Sequence, residues 1–190
     1  ATIACSINGV FGVLSKSGSQ YVFTRSTSGS AVTAYPGTSF EVTTDTDAKY
    51  SANIIWVGRN HFNYVQTVAA YDAQIVVVLD AVDKAYQSLN PINRKSMIVG
   101  VTNGSGEPIG TDGYNAILSY NVQLQAKYPS RFLDIRTVLL NSGTGTGQDL
   151  TDYNNGVIPS SLRSDSQHLS AAGNAVVADS FKLKLSYLGI

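Results

Sequence analysis

The sequence predicts an α/β protein: a parallel sheet covered by helices, preceded by a small antiparallel β segment. Three observations predict it. Short apolar runs alternate with helical periodicity from residue 51 onward. The first 50 residues lack that periodicity and are dense in Gly, Ser and Thr. Hydrophobic side chains make up 43% of the 190 residues, enough for one packed domain or two small ones.

In residues 1–50, β-prone runs occupy residues 10–14, 21–24, 31–35 and 40–43. Ser17-Gly18-Ser19, Ser28-Gly29-Ser30 and Pro36-Gly37 separate them as turns. This stretch reads as a β-rich insertion or subdomain, with residues 51–190 as the α/β portion. Residues 53–57 form a short apolar run ending at Gly58, as a buried parallel strand would. Ile75, Leu79, Val82, Tyr86 and Leu89 then recur at helical spacing, with Asp72 as the expected cap and Asn90-Pro91 as the stop. Residues 96–102 read as a second buried strand. Asp112 is expected to cap a second helix bearing Ile117, Tyr120, Leu124 and Tyr128 on one face, ended by Pro129. Residues 132–140 read as a third strand and residues 141–164 as a long irregular stretch. Ser170 is expected to cap a last helix carrying Val177, Phe181, Leu185 and Leu188. Functional loops of a parallel sheet lie at the carboxyl ends of its strands. The functional edge is therefore expected in residues 58–63, 103–112 and 141–168.

Thirteen basic and thirteen acidic residues balance to zero net charge. That argues against a nucleic-acid partner held through phosphates and against a polybasic membrane anchor. Charged residues are 14% of the chain, against roughly 25% in an average globular protein. Ser, Thr, Asn, Gly and Tyr replace them, a composition that points to an extracellular, virion or cell-surface location. The longest apolar run, Ile75-Val76-Val77-Val78-Leu79, falls far short of the ~18 residues a membrane helix needs, so no membrane span is expected. A single cysteine, Cys5, excludes an internal disulfide and a multi-cysteine metal site. It is expected to be a small buried residue in a strand. Residue 1 is Ala rather than Met, which predicts a processed or trimmed chain.

Two stretches at the functional edge carry chemistry. Asp165 precedes His168 by three residues just before the last helix. A carboxylate so placed accepts a hydrogen bond from the ring Nδ1–H and leaves Nε2 as a base. Asn60 follows Gly58 and Arg59 at a strand end, where a side-chain amide can donate to an oxyanion and the glycine lets the backbone turn sharply. Arg59 has two available roles, pairing with a carboxylate or binding substrate. His61 either lines the mouth of the site or faces solvent.

Gly58-Arg59-Asn60-His61 resembles the third sequence block of the SGNH, or GDSL-like, hydrolases, and Asp165-Ser166-Gln167-His168 resembles their fifth. The resemblance covers residues 51–188. It implies a flavodoxin-like three-layer fold with helices on both faces of a parallel sheet, and serine ester hydrolysis with neither metal nor cofactor. His168 would be the general base, Asp165 its orienting partner and Asn60 an oxyanion-hole donor, with Gly58, Arg59 and His61 beside the substrate. Carbohydrate O-acetyl esters are the expected substrate class, a glycan or small acyl ester the expected partner, and Tyr64, Tyr71, Tyr114 and Tyr153 are available to stack on sugar rings. The sequence departs from the family at His61, where Asp is usual, and it contains no Gly-Asp-Ser. Ser105 sits in a Gly-rich loop outside a Gly-x-Ser-x-Gly elbow, Ser166 is a spacer within Asp-x-x-His, and Ser6 lies in a β-prone stretch. The nucleophile is therefore expected on a companion N-terminal fragment. The alternative is a non-catalytic glycan-binding or virion or cell-surface attachment module on a degenerate hydrolase scaffold. A nucleotide binder comes last, because no Gly-x-Gly-x-x-Gly or Gly-x-x-x-x-Gly-Lys-Ser/Thr is present.

Overall fold

A computed structural model describes residues 2–38, 40–42, 51–62, 66–89 and 95–190. The chain divides into two compact units, Ala1–Ser51 and Ala52–Ile190. The first is an antiparallel sheet of β1 (Thr2–Ile7), β2 (Val10–Ser17), β3 (Gln20–Arg25) and β4 (Phe40–Val42), in the order β3-β2-β1-β4. Asn8 and Gly9 both have positive φ, 47° and 76°, and close a two-residue hairpin between Ile7 and Val10. The register places Ile3, Cys5 and Ile7 on one face with Val10, Leu14 and Phe23. Cys5 is fully buried there.

Three of the expected β runs fall on β2, β3 and β4, with Thr43 outside the described residues. The fourth, residues 31–35, is not a strand. Its Thr33 carbonyl accepts from the Asn8 side chain at 2.8 Å, and Val32 and Tyr35 stay exposed. The fourth strand is instead β1, its Ile3, Cys5 and Ile7 alternating with Thr2, Ala4 and Ser6.

The second unit holds three parallel strands, β5 (Asn53–Ile55), β6 (Ser96–Val99) and β7 (Phe132–Leu133), paired in that order. Its helices are α1 (Val68–Ser88), α2 (Asp112–Lys127), α3 (Ile135–Leu140), α4 (Gly147–Asn154) and α5 (Ala171–Tyr187). Alternation along β6 separates two apolar clusters. Ile98 packs with Ile75 and Val78 of α1 and Ile117, Tyr120 and Leu124 of α2. Met97 and Val99 pack with Ile135 and Leu139 of α3 and Val177 of α5. The architecture is thus mixed α/β, as expected.

Several boundaries differ from the sequence reading, each for a local reason. Thr67, not Asp72, caps α1: its hydroxyl accepts from the Ala70 N–H at 3.3 Å, and Asp72 lies inside the helix. Thr111, not Asp112, caps α2 by accepting from the Tyr114 N–H at 3.2 Å; Asp112 sits in the first turn, where the helix dipole favours its charge. Ser170 caps α5 as expected. The third strand is corrected most. Only Phe132–Leu133 is extended, because Asp134 accepts from the Thr137 N–H at 3.0 Å and starts α3. Residues 141–164 contain α4 and a 3-10 turn, Ser160–Leu162. The buried side chains of α4 are Asp149 and Asp152, so no apolar periodicity announced it. Asn90-Pro91 lies outside the described residues. Among the described residues no helix is long and apolar enough to cross a membrane.

Candidate functional site

The site is built from three loops at the carboxyl ends of β5 and β6 and before α5. After β5 the chain turns at Gly58, whose φ is +113°. A Cβ there would lie 2.7 Å from Val78 Cγ1, so both backbone and packing demand glycine. The 3-10 turn Arg59–Phe62 follows, closed by the His61 N–H donating to the Gly58 carbonyl at 2.9 Å and anchored by the fully buried Phe62. Asn60 and His61 lie on its exposed side. Arg59 turns toward the second loop. Its Nη2 donates to Glu107 Oε2 at 2.7 Å and its Nη1 to Oε1 at 3.3 Å. Of the two roles open to Arg59, carboxylate pairing is the one realised, and Glu107 is a partner the sequence did not reveal.

The second loop, after β6, is held from beneath. Asn121 of α2 accepts from the Val101 N–H and donates to the Val101 carbonyl, both at 2.9 Å, continuing the ladder with a side-chain amide. The Asn103 amide donates to the Glu107 and Gly156 carbonyls. Buried Arg136 donates to Asn103 Oδ1 at 2.8 Å and to the Gly156 carbonyl at 2.7 Å, with its guanidinium 4.9 Å from the Tyr114 ring. Tyr114 is therefore engaged in this support. Glu107 Oε2 also accepts from the Gly104 N–H at 2.6 Å.

The third loop carries the expected pair. Asp165 Oδ2 lies 2.7 Å from His168 Nδ1, and Oδ1 accepts from the Gln167 and His168 N–H groups at 2.7 and 2.8 Å. These bonds, the His168 N–H first, hold the Asp165 carboxyl down at about 2. The His168 side chain is 80% exposed, so its Nε2 edge is open to solvent. The turn is braced by residues the sequence did not single out. Arg163 donates to Asp152 Oδ2 at 3.0 Å, to the Ile158 carbonyl at 2.6 Å and to the Asp165 carbonyl at 3.3 Å. Buried Asp149 accepts from the hydroxyls and N–H groups of Thr144 and Ser161 and from the Ser160 hydroxyl, and these bonds hold it well below the usual carboxylate range. The three-residue spacing of Asp149 and Asp152 was the available signal.

The loops lock together: the Ser105 N–H donates to the Ser166 carbonyl at 2.8 Å, and a Cβ on Gly104 would meet that carbonyl at 2.9 Å and Arg59 Nη2 at 3.2 Å. Ser105 thus ties two loops through its backbone, Ser166 is an exposed spacer, and Ser6 lies in β1 of the other unit. A cavity of about 310 Å³ opens beside this junction, lined by Arg59, Glu107, Asp112, Gln167 and neighbours, with Tyr71 in its wall. Tyr153 is half exposed on α4, and Tyr64 lies outside the described residues. Among the described residues no group of three or more His, Cys, Asp or Glu is placed to hold a metal ion.

No family model matches the chain. A tail spike protein of Salmonella phage epsilon15 is 27% identical over 197 residues, an alignment that covers 90% of this chain and 17% of that protein. The chain therefore spans less than a fifth of the relative it matches.

Proposed function

We propose that the chain is a module of a virion-surface attachment protein and that it engages a surface glycan. The likeness to a tail spike protein over nine-tenths of the chain carries this reading. The zero net charge and the low charged fraction support an uncharged ligand. Binding of the purified chain to polysaccharide from the surface of host cells tests it. Saturable binding lost on enzymatic stripping of the polysaccharide is expected; equal binding to stripped and unstripped cells overturns it.

A second reading, ester hydrolysis of the SGNH type, is favoured by one observation, the Asp165–His168 geometry. In it a serine from a segment outside this chain attacks the acyl carbonyl of a carbohydrate O-acetyl ester. The Ser Oγ–acyl bond forms as the bond to the sugar oxygen breaks, and the serine proton passes through His168 Nε2 to the departing alcohol. Water then repeats the sequence to release acetate. Asp165 orients the ring, Asn60 donates to the oxyanion, and Gly58 and His61 flank the substrate. Arg59 shapes the wall through Glu107. That segment would pair along β5 and extend the sheet toward the flavodoxin-like three-layer form. Turnover of a chromogenic acetyl ester by the longer protein, abolished in His168→Ala, is the expected result. Turnover unchanged in that variant sinks the reading.

A further inference from the structure

We infer that the cavity beside the Asp165–His168 turn is a subsite for one neutral, hydroxyl-rich sugar ring. The inference rests on the reading that the chain engages a glycan and names where and in what chemical form. A ligand of this kind needs a preformed concave site with a few directed polar groups. The cavity of about 310 Å³ is preformed because its walls are cross-bonded: Arg59 to Glu107, Glu107 to the Gly104 N–H, and the Ser105 N–H to the Ser166 carbonyl. It is open at backbone level because Gly104, Gly106 and Gly113 line it. A Cβ on Gly113 would meet Tyr71 Oη at 3.1 Å and Glu107 at 3.3 Å, so α2 begins tight against the wall.

The lining offers hydrogen-bonding groups that the protein itself leaves unused. The side chains of Asp112, Ser166 and Gln167 make no hydrogen bond to another described residue, yet all three border the cavity. A carboxylate accepts only, a hydroxyl does both, and an amide supplies a donor pair and an acceptor. Adjacent ring hydroxyls, each a donor and an acceptor, match that set. Charge sets the rest of the specificity. Arg59 is neutralised by Glu107, and Asp112 leaves the lining with one negative charge in excess. A sugar carrying a carboxylate is therefore disfavoured, and a neutral one is accepted.

Titration of galactose, rhamnose and galacturonic acid into the isotopically labelled chain, read by amide NMR shifts, tests the subsite without any turnover. The neutral sugars are expected to move the Gly104, Gly106 and Gly113 amides, with galacturonic acid at least about tenfold weaker. Asp112→Asn should weaken galactose about tenfold and narrow its advantage over galacturonic acid, and Gln167→Ala provides a second, independent loss. Lys182→Ala, exposed on α5 and outside the lining, should leave these shifts in place. Shifts confined to the other unit, around Phe23 and Arg25, overturn the subsite while leaving glycan binding standing. Equal affinity for galactose and galacturonic acid also overturns it. No binding of any of the three overturns the subsite alone, because the glycan reading is decided by the polysaccharide binding above.

Discussion

The two units of the chain are built on opposite balances of burial. Among the described residues, Cys5 is the single buried hydrophobic side chain in Ala1–Ser51, and Phe11, Tyr21 and Tyr35 are exposed there. Ala52–Ile190 instead buries an apolar cluster around each set of alternate residues of β6. A unit of about fifty residues with so thin a core is marginal by itself, because too little surface leaves water on folding. The second unit can hold exposed polar loops in fixed geometry because its sheet and helices do not depend on them. The difference teaches where precise chemistry can be kept: the candidate site belongs to the unit that has stability to spare.

The largest expected effect tests that contrast directly. Ile98 is fully buried at the centre of the parallel sheet, so Ile98→Ala should cost about 3 kcal/mol. Trp56, the only tryptophan, lies in the second unit and packs edge-on to Phe181 of α5, so it reports on that unit. Urea unfolding followed by Trp56 fluorescence should shift accordingly. Phe23→Ala, in the half-buried face of the first unit, should cost about 1 kcal/mol and leave the Trp56 transition unmoved. Equal shifts in both variants would mean that the units unfold as one, and the contrast would fail.

Glycine substitutions sharpen the comparison at slightly smaller cost. Gly58→Ala places a Cβ against Val78 at φ +113°, and about 2.5 kcal/mol is expected from strain and overpacking together. Gly12→Ala in the first unit drives a Cβ into the Thr24 carbonyl and the Phe23 ring. That clash should separate β2 from β3, seen as accelerated amide exchange in those strands alone. A third pair compares two arginines. Arg163 is 13% exposed and holds Asp152 and the Ile158 carbonyl, so Arg163→Met should cost about 2 kcal/mol and loosen the His168 turn. Arg25 makes exposed bonds to the Gly29 and Ser30 carbonyls, so Arg25→Met should cost under about 0.5 kcal/mol. Differential scanning calorimetry on the two variants distinguishes them.

Legibility in the sequence followed the same divide. Helices with an apolar stripe were plain: Ile117, Tyr120 and Leu124 are buried on α2 as their spacing required. Asp-x-x-His was legible because both partners sit within one turn, where local geometry alone brings them together. What stayed hidden depends on contacts distant in sequence or on polar burial. Glu107 meets Arg59 across 48 positions, which no local pattern records. Asp149 and Asp152 are buried by hydrogen bonds, so a search for apolar periodicity passes over α4. The helix at Ile135–Leu140 was masked by its own β-prone residues, and Asp134 decided it. In the first unit, residues 31–35 carry strand propensity, but the Asn8 amide takes the Thr33 carbonyl that a ladder would need.

Acid is the mildest probe and separates the loops by chemistry. The first unit fastens its loops with the Arg25 guanidinium and the Asn8 amide, neither of them a carboxylate. The second fastens the His168 turn with carboxylates. Asp165 is held at about 2, below the ~3.9 of an unfolded chain. Its contribution is therefore present in full above the unfolded value and is lost as pH falls from ~3.9 through about 2, because the unfolded chain takes up the proton first. The Gln167 and His168 amides, which donate to that carboxylate, should titrate together with a midpoint near 2 in an NMR pH series. The amides of β2 and β3, strands without a carboxylate, should stay flat over the same range. Asp165→Asn should abolish the inflection at His168. A midpoint near 4 at both amides would mean that the carboxylate is not bonded as described, and the turn that orients His168 would not be preformed.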